Sequence, residues 1–352
     1  GARRAFSALT LDWRFLSRFG AQLFMNQENP ASSSPPGAPE VSPTPPQRGI
    51  PHFHLQELGL IHRVFLNNRE LRSGWRLLIF VVLWTVIFGG LLSLARGFSR
   101  IPTRQISAHM LLINEGTMLI AALISAGILG IVERRSFADY ALPWRLAFQA
   151  KFWWGVLWGG IGLTAVLLLI RLGNGFNFGA LSVEARRPLL VAAGLWAAGS
   201  LLIGLYEEFF FRGYALFTLT TGIGFWPSAV VLSIVFGAFH LGNPGEDWPG
   251  ILAVMLIGLF FCFTLRRTGS LWFAFGFHAM WDYCENFIFA VPDSGIMTGH
   301  HLFGSSFHGP RWLTGGSAGP EGSVFVFAVI GCLFILIHLL YPKARFGVAA
   351  EQ

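Results

Sequence analysis

The apolar positions of this chain run together in blocks about as long as a bilayer-crossing helix, separated by short polar joints. Leu77 to Ala95 carries no charged side chain and makes about 28 Å of helix at 1.5 Å per residue, close to the thickness of a hydrocarbon core. About eight such blocks can be traced on hydropathy, near 77–95, 108–132, 152–170, 189–220, 227–242, 250–265, 270–290 and 323–341. They predict an all-α fold, a polytopic membrane helical bundle with about eight transmembrane helices. The fourth block is too long for one simple crossing and is expected to tilt, kink or project from the bilayer. The fifth and sixth are short.

Composition agrees with this pattern. The 352 residues are 53% hydrophobic and only 12% charged, with a mean hydropathy of +0.56, far from the balance of a soluble domain. A net charge of +7 raises nucleic acid as a partner, but the basic residues flank the apolar blocks and form no patch interleaved with aromatics. The bilayer is the expected partner, and no nucleic acid is. Arg63, Arg69, Arg72 and Arg76 precede the first span, Arg134, Arg135, Arg145 and Lys151 join the second to the third, and Arg266 and Arg267 join the sixth to the seventh. With Lys343 and Arg345, they favour a multi-pass protein of the cell membrane with both termini in the cytoplasm. Arg96, Arg100, Arg104, Arg186 and Arg187 fall on the other side and oppose that orientation. Cys262, Cys284 and Cys332 lie far apart within apolar blocks and read as small core residues rather than disulfides or a metal set.

Residues 1–75 read as an N-terminal extension. Its stretch 29–51 is rich in Pro, Ser and Gly and is expected to be a disordered linker. Residues 1–24 are Arg-rich with Asp12 as their acid, and Met25 is the expected natural start of translation. Residues 76–352 form the transmembrane domain. Glu133 to Leu142, ERRSFADYAL, reads as a charged joint along the cytoplasmic surface, and 291–322, rich in Gly, Ser and His, as a long external loop. Gly155-x-x-x-Gly159 reads as a close helix-packing motif.

Chemistry enters where charge interrupts the apolar pattern. Glu207, Glu208 and Arg212 lie inside the fourth block, where three uncompensated charges would cost roughly 8 to 10 kcal/mol. On a helix advancing about 100° per residue, Glu208 and Arg212 differ by about 40° in azimuth and Glu207 and Arg212 by about 140°. Glu208 is therefore placed to pair with Arg212, and Glu207 is left as the candidate reactive carboxylate. The midpoint between Glu207 and His240 falls at the Gly222-Ile223-Gly224 turn, so a helical hairpin about that turn puts both at one depth. His278 and Asp282, four residues apart, project from one face of the seventh span and can reach the same cavity. Phe236 is assigned a packing role only. Asn114 and Glu115 are weaker candidates for the cavity wall, and Glu285 and Asn286 for support of Asp282. His300, His301 and His308 suggest a metal cluster by composition alone, against which a flexible loop is the simpler reading.

Taken in order, Glu207-Glu208-x-x-x-Arg212, Phe236-x-x-x-His240 and His278-x-x-x-Asp282 resemble the CAAX prenyl protease and bacteriocin-processing (CPBP, or ABI) family of intramembrane proteases, over about 189–290. The resemblance implies an all-helical membrane endopeptidase acting on a membrane-associated or lipidated peptide. It implies Glu207 as the general base that activates water, assisted by His240, with His278 and the residue at 282 stabilising the tetrahedral intermediate. Position 282 departs from the pattern, since Asp stands where the family often has Asn. An ionised Asp can only accept hydrogen bonds, so it would orient His278 or bind a cation instead. Glu207, His240, His278 and Asp282 offer nitrogen and oxygen ligands suited to zinc as a cofactor, yet a metal-free mechanism is equally compatible and no HExxH motif is present. The rival expectation is a noncatalytic membrane protein, an immunity or scaffold factor or a transporter binding a proton or cation.

Overall fold

The computed structural model describes residues 65–67, 70–98, 108–181, 186–296 and 301–346, all within the unit that begins at Gln56. The Pro-rich linker, Met25, Arg100, Arg104 and His300 lie outside the described residues. The architecture is an all-α membrane bundle. Helices α1 (Ser73–Phe98), α2 (Ala108–Glu133), α3 (Ala150–Leu172) and α4 (Arg186–Glu208) come first. A π-helical segment, Phe209–Ala215, carries α4 directly into α5 (Leu216–Ile223). Then follow α6 (Phe225–His240), α7 (Trp248–Thr268) and α8 (Trp272–Tyr283), a second π segment at Cys284–Phe289, and α9 (Val324–Leu340).

Among the described residues, five helical stretches are long and apolar enough to cross a membrane: Ser73–Ala95, Met110–Glu133, Ala150–Leu172, Arg187–Ile223 and Trp248–Thr268. Phe225–His240 and Val324–Leu340 are apolar but shorter, so eight full crossings are not established. The outer faces suit lipid: Val82, Val86, Ile131, Leu172 and Phe239 are all exposed, as is expected where the solvent is itself apolar. The over-long fourth block is one continuous helix whose regular ladder gives way to the π segment.

Glycine sets the closest approach in the bundle. A Cβ at Gly155 would stand 2.1 Å from the carbonyl oxygen of Phe273, and one at Gly159 would stand 2.3 Å from that of Phe277. Gly276 on α8 meets the Phe152 carbonyl of α3 in the same way. The Gly155-x-x-x-Gly159 motif therefore lets α3 and α8 touch backbone to backbone, which van der Waals packing in lipid rewards. The expected hairpin turn forms at Gly224, whose φ of 82° is a left-handed conformation that glycine adopts without strain. Around it α5 and α6 pack against one another.

Two joints are more ordered than the sequence suggests. In the 133–142 segment, Tyr140, Ala141 and Leu142 are buried, and the Leu271 N–H donates to the Ala141 carbonyl, tying the joint to the start of α8. The long connection after α8 is not a free loop: Ser306–Phe307 pairs antiparallel with Phe176–Asn177, and Leu181 bridges Phe303. Cys262 and Cys284 are buried free thiols, whereas Cys332 is exposed on the outer face of α9.

Candidate active site

Glu207 and Glu208 are the last two residues of α4, before the π segment begins. Such segments widen a helix locally and recur at functional sites. Arg212 donates from Nη1 to Glu208 Oε1 at 3.1 Å, and both side chains are fully buried. The guanidinium also lies 4.2 Å from the centre of the Phe236 ring. Its space depends on Gly258 of α7, where a Cβ would stand 2.5 Å from Arg212 Nη2.

The same Glu208 oxygen accepts from His278 Nδ1 at 3.0 Å. Glu208 thus holds two side chains, where the sequence pairs it with Arg212 alone. His278 is packed flat against Phe261, with ring centres 5.4 Å apart and planes 16° from parallel. With Nδ1 engaged, Nε2 faces two further carboxylates, Glu207 Oε2 at 3.7 Å and Asp282 Oδ1 at 3.6 Å. Both separations exceed a hydrogen bond, so the carboxylates flank Nε2 without saturating it. Gly204 makes this meeting of α4 and α8 possible, because a Cβ there would press on His278 Cβ at 3.3 Å and on the Ala279 nitrogen at 3.2 Å.

A cavity of about 610 Å³ opens beside these groups, lined by Glu207, His240, His278 and Asp282 together with Asn114 and Glu115. His240, the last residue of α6, hydrogen-bonds through Nδ1 to the Phe236 carbonyl at 2.9 Å, which leaves Nε2 unengaged. Phe236, read from sequence as packing alone, therefore orients His240 through its carbonyl and faces Arg212 with its ring. Asn114 reaches Glu115 Oε1 at 3.1 Å on the α2 side of the cavity. Arg212 and Glu208 are behind the wall and do not line it.

The far wall comes from segments that sequence spacing did not bring in. Asp293, Ser294 and Glu321, from the connection after α8, line the cavity with Asn286. Glu321 accepts from Trp281 Nε1 at 3.2 Å and from the Ser294 hydroxyl at 2.6 Å. Burial pushes the Glu321 carboxyl up to about 7, and the neighbouring Asp293 carboxylate adds to that shift. Two acids 28 positions apart in a Gly- and Ser-rich connection offer no periodicity that would reveal this placement.

Among the described residues, the His, Cys, Asp and Glu side chains that converge as a possible metal shell are Asp282, Glu285 and Asp293, with oxygens within 4.8 Å of one another. Glu207, His240, His278 and Asp282 do not converge in that way. As placed, they do not assemble a zinc shell, whose ligand atoms sit about 2.0 to 2.3 Å from the metal. His301 and His308 belong to no such group.

Comparison with protein families matches residues 189–284 to the family described as type II CAAX prenyl endopeptidase, Rce1-like. The matched segment, similar to that family, takes in most of α4, the first π segment, α5 to α8 and the first residue of the second π segment. No curated protein matches the chain.

Proposed function

We propose, from the match of residues 189–284 to the CAAX endopeptidase family, that this integral membrane protein hydrolyses a peptide bond of a membrane-associated or lipidated substrate, using water activated by Glu207. The observation that carries the reading is His278, held by Glu208 behind it while its Nε2 faces the cavity between Glu207 and Asp282.

The chemistry follows from what each group can donate or accept. Glu207 is 22% exposed at the cavity, while Glu208 is sealed behind it, so Glu207 is the carboxylate that water can reach. It takes a proton from the water as the oxygen attacks the scissile carbonyl. An Nε2–H on His278 then meets the oxyanion. Donation from Nδ1 to Glu208, itself paired to Arg212, fixes the ring so that this hydrogen points into the cavity. His240 presents its free Nε2 from the opposite hairpin arm and helps to steer the water. Glu207 finally returns its proton to the leaving amine. Asp282 has no hydrogen to give when ionised, and its part is to hold His278 from the Nε2 side. The apolar stretch of the cavity wall, with Trp84, Met118, Phe211 and Ile257, suits a lipidic or apolar substrate segment.

Arg76, Arg135, Lys151 and Arg266 gather where α1, α3 and α8 begin and α2 and α7 end, and we assign that end to the cytoplasm. The cavity lies toward the opposite end, with His240 and Asp293.

The test is cleavage of a quenched fluorescent peptide carrying a lipidated Cys, by protein reconstituted in vesicles. Wild type is expected to cleave it, and Glu207→Gln and His278→Ala to lose activity about 10²- to 10⁴-fold while remaining folded. Full activity in both variants would overturn the assignment. A noncatalytic binding or transport role would then account for the cavity.

A further inference from the structure

Glu285 is the least compensated charge-bearing group in the described bundle core. It is fully buried, on the first turn of the Cys284–Phe289 π segment, and neither carboxylate oxygen has a hydrogen-bond partner. Burying a carboxylate without a partner is costly, and proteins ordinarily answer such a group with a donor or a cation. The ionisable groups that act on it most strongly are Glu321, Asp293, Asp282 and Cys284, none of them basic. One oxygen each of Asp282, Glu285 and Asp293 lies within 4.8 Å of the others.

From this convergence we propose that Asp282, Glu285 and Asp293 form a binding site for a hard divalent cation, of the Ca²⁺, Mg²⁺ or Mn²⁺ class, beside the cavity. The ligand chemistry selects the class: an all-oxygen set suits these ions, whereas zinc and copper sites draw on histidine and cysteine. The spacing fits as well. Oxygens 2.3 to 2.6 Å from a calcium ion lie at most about 5 Å apart across the shell. Three carboxylates carry more charge than a monovalent ion neutralises. Part of the remainder is already met by Asn286 Nδ2, which donates to Asp293 Oδ2, and by His278 beside Asp282.

Helix geometry explains why the residues meet. The π segment has a wider turn than an α-helix, and it turns Glu285 and Asn286 toward the side from which Asp282 projects. Asp293 comes back from the connection that follows, where Asp293 and Ile296 pair in a tight turn. A bound cation would clamp this turn to the end of α8, and so hold Asp282 against His278. The site is distinct from the Glu207, His240, His278 and Asp282 set and shares only Asp282 with it. The inference does not rest on the peptidase reading, because binding is measured without substrate.

The experiment uses the full chain purified in detergent, washed with chelator and titrated with Mn²⁺ followed by electron spin resonance, with Ca²⁺ as competitor. Wild type is expected to take up one Mn²⁺ that Ca²⁺ displaces, and to unfold at a higher temperature when the ion is present. Glu285→Gln, which keeps the shape and removes the charge, should weaken Mn²⁺ binding at least about tenfold, and Asp293→Asn should do the same. Glu207→Gln should leave it within about twofold. Asp293→Asn, on the connecting segment, carries the test if Glu285→Gln does not fold. Absence of Mn²⁺ binding by wild type would overturn the proposal and point to carboxyls that share protons. Binding that survives both acidic variants but is lost in Glu207→Gln would equally overturn it, placing the ion at the histidine cluster.

Discussion

The bundle contains two buried ionic clusters whose contrast separates structure from chemistry. Near the start of α1, Arg76 grips Glu133 with two parallel bonds, Nε to Oε1 at 2.8 Å and Nη2 to Oε2 at 2.6 Å. The Tyr214 hydroxyl adds a third donor to Oε1 at 2.7 Å. Every strong acceptor of Glu133 is answered, and the cluster locks α1 and α2 to the Phe209–Ala215 π segment of the continuous central helix, Arg187–Ile223. Deeper in the bundle, Glu208 bridges Arg212 and His278 through one oxygen and leaves Oε2 without a partner. Glu207 is only flanked by His278, at a distance too long for a hydrogen bond. A satisfied cluster rigidifies, whereas one with an acceptor in reserve beside a cavity can take a proton from a bound molecule.

The sharpest way to break this contrast is to remove one charge from each cluster. Glu207→Gln should remove about 10²- to 10⁴-fold of peptide cleavage, about 3 to 5 kcal/mol of barrier, with thermal unfolding in detergent unchanged. Arg76→Ala should do the reverse. Leaving part-buried Glu133 without its cation, with the Tyr214 and Tyr140 hydroxyls as remaining donors, is expected to cost about 1.5 to 3 kcal/mol of stability, read as a lowered unfolding midpoint, while the folded fraction retains its specific activity. If Arg76→Ala abolished cleavage in protein that is demonstrably folded, the division between the clusters would fail.

Smaller changes sharpen the same comparison. Gly258→Ala pushes a methyl against Arg212 Nη2 and should cost about 1 to 3 kcal/mol, with a loss of cleavage because His278 is positioned through Glu208. Stability and cleavage falling together would place Arg212 in both roles. Tyr214→Phe removes one donor from a charged acceptor that keeps its two Arg76 bonds. It is expected to cost about 1.5 kcal/mol and to leave cleavage alone, as followed by thermal unfolding beside the peptide assay.

Much of the site could be read along the chain because its pairs are local. Four-residue spacing joins Glu208 to Arg212 and sets His278 beside Asp282. The glycine midpoint between Glu207 and His240 becomes the turn at Gly224. The missing parts are those with no local signal. Arg76 and Glu133 are 57 positions apart, and Glu133 sits in a joint that looks like a solvated loop. The bond from His278 to Glu208 spans 70 positions and makes Glu208 more than the partner of one arginine. Asp293 and Glu321 come from a stretch whose Gly, Ser and His content hides any structure. The azimuths reckoned at 100° per residue also stop applying after Glu208, where the π segment begins.

By itself, then, the sequence determined that the chain is a membrane helical bundle with charge concentrated at a few depths, because hydropathy and helical period act over a turn or a span. Tertiary structure alone decided which of those charges are answered. The glycine contacts of α3, α4 and α7 set how near α8 and the central helix approach, and that approach leaves Glu207 facing a cavity, Glu208 sealed behind it and Glu285 buried among acids. Whether a buried charge is inert or available depends on distances of a few tenths of an ångström between residues far apart in the chain, and no local pattern encodes those distances.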